Sequence, residues 1–186
     1  IDSNVASLGA TALHFTAAWH GDVSETERAR FAELLLDHGA MLDIRDEMLH
    51  STPLGWACRW GRAELVTLLL DRGADVNVVG PALYGPTTAL TEAAFVGNEA
   101  AFNLLVAAGA NLTAGPAALG FALRAGCMSC AQMLMQAYPL PLITDERAAA
   151  RVMVGPREAA PISRKLRAVT SLLPVPPAAR VSDIVT

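Results

Sequence analysis

A glycine-centred segment recurs three times along this chain of 186 residues, at spacings of 34 and 36 residues. Each copy follows the same order of features. A Thr-x-Leu segment comes first, then a pair of small residues, a glycine, an apolar run, and finally the glycine-centred segment. Self-similarity at this period predicts stacked supersecondary units rather than one globular core. The three copies are Gly39-Ala40-Met41-Leu42-Asp43, Gly73-Ala74-Asp75-Val76-Asn77 and Gly109-Ala110-Asn111-Leu112-Thr113.

Each unit carries the signals of two helices joined by a turn. A threonine can cap the free N–H groups at the start of the first helix, and Pro53 suits its first turn. A middle glycine ends that helix, the second helix carries the apolar triplet, and the last glycine ends it in a left-handed conformation. Because such a hairpin cannot bury its apolar face alone, stacked copies must share one core.

The best-formed copy resembles the ankyrin repeat family. It runs from Ser51-Thr52-Pro53-Leu54-Gly55-Trp56-Ala57-Cys58 through Leu68-Leu69-Leu70 to Gly73-Ala74-Asp75-Val76-Asn77. The resemblance implies an all-α solenoid of helix–turn–helix units at residues 9–41, 52–84, 88–113 and 117–138. We therefore expect a repeat array over residues 1–139 and a C-terminal helical and Pro-rich extension over residues 140–186.

The units depart from the family pattern in several places. The first unit has extra residues between Gly21 and Gly39, which predicts a lengthened second helix or a loop before it. The connections at residues 43–50 and 78–87 are longer than the family norm. The family's first-helix histidine survives only as His14, for which we expect a hydrogen-bonding framework role.

The C-terminal region differs from the array in charge and period. Residues 144–186 hold 7 Lys or Arg and 4 Asp or Glu, whereas residues 1–143 hold 7 and 14. Apolar residues at Leu166, Val169, Leu172 and Leu173 predict a helix with an apolar stripe over residues 163–173. Its basic residues either form a solvated helix face or contact an acidic partner or the array's own acidic surface.

The same region bears a weaker resemblance to a SOCS box. The residues that carry it are Leu166, Leu172 and Leu173-Pro174-Val175-Pro176-Pro177, with Lys165-Leu166-Arg167 in place of the family's Leu-Cys-Arg core. The resemblance would imply engagement of the elongin–cullin machinery.

Composition and motifs exclude several classes of function. A net charge of −4 argues against general nucleic-acid binding. The sequence contains no uninterrupted run of about 18 apolar residues, so we expect no membrane span. No phosphate loop, paired-histidine metal motif or nucleophile motif occurs, so we expect no cofactor, no metal, no small-molecule substrate and no catalysis. We expect Cys58 in the core, and Cys127-x-x-Cys130 to pack structurally, in a protein of a reducing intracellular compartment such as the cytoplasm.

The ankyrin resemblance also implies where a partner would bind. Two residues before the glycine of each first helix face the concave surface, and the connection tips line the same side. Aromatic and arginine side chains there have the composition of a binding hot spot. The candidate partner-binding residues are Trp19, His20, Arg59, Trp60, Tyr84, Phe95 and Arg124. Alternatively, Trp60 or Phe95 packs against a neighbouring unit, as we expect of Trp56.

The sequence therefore predicts a non-catalytic scaffold, a monomer, that binds an unidentified protein on its concave face. One alternative is a substrate adaptor of a cullin-type ubiquitin ligase that uses the SOCS-box-like tail. Another is the targeting arm of a larger enzyme or effector, since the chain begins at Ile1 rather than Met and resembles a fragment.

Overall fold

A computed structural model describes residues 9–18, 21–81, 86–114 and 117–137. Within these ranges the only extended pairing is one antiparallel bridge between Gly80 and Thr87. None of the described helices has the length and apolar character needed to cross a bilayer. The helices are α1 (Ala12–Ala18), α2 (Glu25–Asp37), α3 (Pro53–Arg59), α4 (Ala63–Asp71), α5 (Ala89–Val96), α6 (Glu99–Ala107), α7 (Ala117–Ala125) and α8 (Met128–Ala137).

The helices form two layers. The first helices of the hairpins, α1, α3, α5 and α7, pack side by side in chain order, and α2, α4, α6 and α8 form the second layer in the same order. The first helices are in closer contact with one another than the second helices are. The predicted all-α solenoid of helix–turn–helix units is confirmed.

Capping residues set the helix ends that the sequence predicts. The hydroxyl of Thr52 accepts a hydrogen bond from the backbone N–H of Gly55, and Thr88 forms a reciprocal capping box with Thr91. At the other end of α5, Gly97 has a φ of 72°, in the left-handed region that favours glycine. These local signals fix the ends of α3 and α5.

The extra residues of the first unit lengthen its second helix. α2 has 13 residues, whereas α4 and α6 have 9 each. The hydroxyl of Ser24 accepts from the N–H of Glu27, and the Glu27 carboxylate accepts from the N–H of Ser24. The sequence leaves open either a lengthened second helix or a loop before it. The structure shows that most of the extra residues lengthen the helix.

The core lies between the layers and along the contacts between units. Leu65, Leu69 and Phe102 of the second helices have no exposed surface. Cys58 and Ala93, on neighbouring first helices, are also fully buried, as the small-residue pattern predicts. Small side chains there let α3 and α5 approach closely, so the shared core is continuous from unit to unit.

Side chains at repeated positions tie each unit to the one before it. Arg62, just before α4, donates from Nε to the carbonyl oxygen of Ala17 at 3.1 Å. Asn98, just before α6, donates from Nδ2 to the carbonyl oxygen of Cys58 at 3.3 Å. Both bonds add a donor to a carbonyl near the end of a first helix, where the regular helical hydrogen bonds stop.

A buried carboxylate organises the long connection between the first two units. Asp46 is 1% exposed, and its Oδ2 accepts from the backbone N–H groups of Met48 and Leu49 at 2.9 and 2.6 Å. Its Oδ1 accepts from the N–H of Ser51 at 2.9 Å and from the indole N–H of Trp56 at 3.1 Å. Asp46 therefore holds the connection against α3, a role that the repeat pattern does not predict.

His14 links the first two units through a neutral ring. Its Nδ1 accepts from the backbone N–H of Thr11 at 3.1 Å, so Nε2 carries the hydrogen that is donated to the Ser51 carbonyl at 3.1 Å. Burial lowers the pKa of His14, and the bond to Ser51 and the charge of Asp46 oppose this effect. The expected framework role is confirmed.

The burial of His14 predicts a loss of stability in acid. Since the folded-state pKa lies below the ordinary value of about 6.5, the unfolded chain takes up the proton first. The contribution of His14 to the free energy of unfolding should be complete above about pH 6.5 and fall as the pH drops below it. Urea denaturation of the wild type and His14→Asn at several pH values would measure it.

The wild type and His14→Asn both contain Glu92. The effect of Glu92 titration on the free energy of unfolding therefore cancels in the difference between them. Burial raises the pKa of Glu92, so its titration changes stability in the opposite direction. We expect the stability advantage of the wild type to shrink on acidification. An advantage that stays constant between about pH 7.5 and 5 would show that His14 is not the titrating group.

Candidate functional site

Three of the predicted binding residues meet on the layer formed by the first helices. The guanidinium carbon of Arg59 lies 4.6 Å from the centroid of the Phe95 ring, and that of Arg124 lies 4.7 Å from the same centroid. Arg59 belongs to the unit before Phe95 and Arg124 to the unit after it, so the ring lies between two guanidinium groups. Both distances fall within the range of cation–π attraction.

A fourth residue, Phe121, joins this group. Its ring packs edge to face against Phe95 with centroids 5.2 Å apart, and the guanidinium of Arg124 lies 5.5 Å from its centroid. Phe121 was not among the predicted site residues, although it precedes Arg124 by three positions and so shares its helix face. We call Arg59, Phe95, Phe121 and Arg124 the inner strip.

A buried carboxylate anchors one end of the inner strip. Glu92 is 5% exposed, and its Oε2 lies 2.6 Å from Nη1 of Arg59. Burial raises the pKa of Glu92, while the hydrogen bond and charge of Arg59 lower it. The pair fixes the Arg59 guanidinium over Phe95. Glu92 was also missed, although its position three residues before Phe95 places it on the same helix face.

Trp60 belongs to a different cluster. It ends α3 and is half-buried, with its ring centroid 4.9 Å from that of Trp56 in the same unit. Trp56 is 2% exposed and packs edge to face against His14 and Phe15. The expected packing role of Trp56 is confirmed, and Trp60 extends that cluster toward the surface. Its role in binding remains a prediction.

Several predicted features fall outside the described residues. They are the candidate binding residues Trp19, His20 and Tyr84, the SOCS-box-like segment, and the extension over residues 140–186. In the described part of the chain, no three His, Cys, Asp or Glu side chains gather as a metal site would require.

The paired cysteines form a disulfide, which differs from the expectation of simple packing. Cys127 directly precedes α8 and Cys130 lies in its first turn, so the intervening turn brings their Cα atoms to 5.4 Å.

Cys58 is the free cysteine of the described residues, and burial together with the nearby Glu92 raises the pKa of its thiol. A buried thiol of this kind is unreactive.

Comparison with known proteins supports the repeat assignment. Residues 1–79 match the family model described as ankyrin repeats (3 copies). The search of curated proteins finds no match to the sequence. Ankyrin repeats indicate a protein–protein interaction domain. The match identifies ankyrin repeats within residues 1–79, and the stacked helical hairpins continue the same architecture as far as α8.

Proposed function

We propose that the chain is a non-catalytic scaffold that binds a partner protein through the inner strip. The observation that carries this proposal is the position of Phe95 between the guanidinium groups of Arg59 and Arg124. Aromatic and arginine side chains dominate the energetics of protein interfaces, and here they lie side by side on three consecutive units.

The rigidity of the strip supports the same function. Arg59 is held by the buried Glu92, and Phe95 is held by Phe121 of the next unit. Ordering a free arginine side chain on binding costs about 0.5–1.5 kcal/mol, and this arrangement meets part of that cost during folding. A short row of fixed side chains can therefore bind a partner without a large interface.

Phe95→Ala is the substitution that tests this site. It removes the ring that both guanidinium groups contact, so we expect a captured partner to bind about 30-fold more weakly, or about 2 kcal/mol. Partners would be captured on the wild-type protein, purified, and titrated against each variant by calorimetry. Trp60→Ala does not test the inner strip, because Trp60 packs against Trp56 in a separate cluster.

Asn103→Ala provides the matched control. Asn103 is exposed on α6, in the same unit as Phe95 but in the other helix layer, and this variant should bind as the wild type does. Circular dichroism of both variants should show the wild-type helical content. Equal affinity of Phe95→Ala and the wild type for every captured protein would rule out the inner strip as the binding site.

A further inference from the structure

The fourth unit begins its second helix with a covalent bond. Cys127 directly precedes α8, Cys130 is the third residue of that helix, and the two form a disulfide. In the unit before it, Asn98 and Ala101 hold the same two positions relative to α6. There the side-chain oxygen of Asn98 accepts a hydrogen bond from the backbone N–H of Ala101 at 3.1 Å. The disulfide therefore joins the two positions that a capping hydrogen bond joins in α6.

This disulfide adds little to the fold as a cross-link. A disulfide stabilises a protein mainly by restricting its unfolded chain, and it does so least when the loop that it closes is short. The two cysteines are three positions apart and belong to one unit, so the bond connects no two units. α2 and α6 begin without such a bond, since Ser24 and Asn98 cap them with hydrogen bonds. The array therefore does not need a disulfide at this position for its architecture.

The two cysteines differ in exposure. Cys127 keeps 8% of its surface exposed, whereas Cys130 has none. Ala125 and Gly126, which precede Cys127, are exposed, so this turn faces solvent. Exchange with an external thiol requires access to the sulfur that is attacked. An external thiolate therefore reaches the disulfide at the sulfur of Cys127.

The start of α8 favours negative charge on sulfur. The free backbone N–H groups and the dipole of a helix give its first turn a partial positive charge, and thiols placed there in a Cys-x-x-Cys pair ionise more readily than a free cysteine. The first turn of α8 contains no acidic residue, whereas those of α4 and α6 contain Glu64 and Glu99. A thiolate that is stabilised in this way is a good leaving group in thiol–disulfide exchange.

We propose that Cys127 and Cys130 form a redox site that exchanges with a dithiol. A thiolate of the dithiol attacks Sγ of Cys127, the bond between the two cysteines breaks, and Cys130 leaves as a thiolate that takes up a proton. The second thiolate of the dithiol then attacks the dithiol's own sulfur in the mixed disulfide. This step closes a cyclic disulfide and releases Cys127 as a thiolate that is protonated in turn. Two electrons and two protons pass from the dithiol to the protein.

Reduction should free the start of α8 and leave the rest of the array in place. α8 packs against α6 and α7, and it is the last of the described helices, so it has a helical neighbour on one side only. Helix ends with few neighbours open most easily. The inner strip lies on first helices, where α7 packs against α5, so the redox site is independent of the function proposed above.

Reduction of the folded full chain tests this site. The protein is incubated with dithiothreitol in the absence of denaturant, blocked with N-ethylmaleimide, and analysed by mass spectrometry. We expect labels on Cys127 and Cys130 and none on Cys58, which is buried. Oxidised dithiothreitol should restore the unlabelled form, and hydrogen exchange of the reduced protein should rise in the first turn of α8 but not in α4. A disulfide that is reduced only after unfolding in urea would overturn the proposal.

Two alanine substitutions provide matched controls for the direction of attack. Cys130→Ala leaves the partly exposed cysteine alone, whereas Cys127→Ala leaves the fully buried one. With oxidised glutathione, we expect Cys130→Ala to form a mixed disulfide at least about tenfold faster than Cys127→Ala. Circular dichroism should show the wild-type helical content for both variants. Equal rates in the two folded variants would contradict the proposed attack at Cys127.

Discussion

Leu69→Asp should unfold several units of the array at once. Leu69 has no exposed surface, and it lies on α4, which packs against both α2 and α6. A carboxylate at this position loses the apolar contacts of leucine and lacks a partner for its charge. We expect the free energy of unfolding to fall by more than about 5 kcal/mol, which is a large part of the stability of a domain this size.

The loss should spread because each repeat is stabilised mainly by its neighbours. In a solenoid, the interfaces between units supply the stability that a single hairpin lacks, so removal of the second unit weakens the first and the third. Hydrogen exchange measured by mass spectrometry would show the extent. Amides of α2, α4 and α6 should all lose protection in the variant.

Thr67→Asp is the control for this prediction. Thr67 is exposed on the same helix, two residues away, so the same new charge should change the free energy of unfolding by less than about 0.5 kcal/mol. If Leu69→Asp deprotects α3 and α4 alone while α2 and α6 keep wild-type exchange, the units are not coupled as the packing indicates.

The fold could be predicted because its determinants are local and repeated. Capping by Thr52 and Thr88 and the left-handed Gly97 depend on residues within a few positions of each other. Small residues at Cys58 and Ala93 recur at the repeat period, which identifies the contacts between first helices. The period therefore predicts both the hairpins and the way they stack.

The candidate site could be predicted only in part. The positions of Arg59, Phe95 and Arg124 follow from their place before the glycine of each unit. Phe121 and Glu92 were missed because their importance depends on the helix phase and on which side chain the next unit presents. That information comes from packing between units rather than from the repeat pattern.

Features that occur once in the chain were the least predictable. The disulfide between Cys127 and Cys130 depends on the backbone turn at the start of α8. The role of Asp46 depends on the path of a connection that is longer than the family norm. For a polar residue that does not repeat, the sequence does not distinguish a solvated side chain from one that is buried and accepts four hydrogen bonds, as Asp46 does.

Asp46→Ala should be the most destabilising substitution in the connections between units. It removes the acceptor for the N–H groups of Met48, Leu49 and Ser51 and for the indole N–H of Trp56. A buried donor without a partner costs about 1–3 kcal/mol. Because solvent can reach part of the connection, we expect a total loss of about 3–5 kcal/mol in the free energy of unfolding, measured by urea denaturation.

Asp43→Ala is the matched control for Asp46→Ala, because it removes the same group from the same connection. The Asp43 carboxylate is exposed and accepts one hydrogen bond, from the backbone N–H of Asp75 at 3.1 Å, so its loss should cost less than about 1 kcal/mol. Asp46→Asn should fall between the two, since its amide keeps one acceptor oxygen and turns the other side into a donor facing donors. Equal costs for Asp46→Ala and Asp43→Ala would mean that the four hydrogen bonds to Asp46 do not hold the connection against α3.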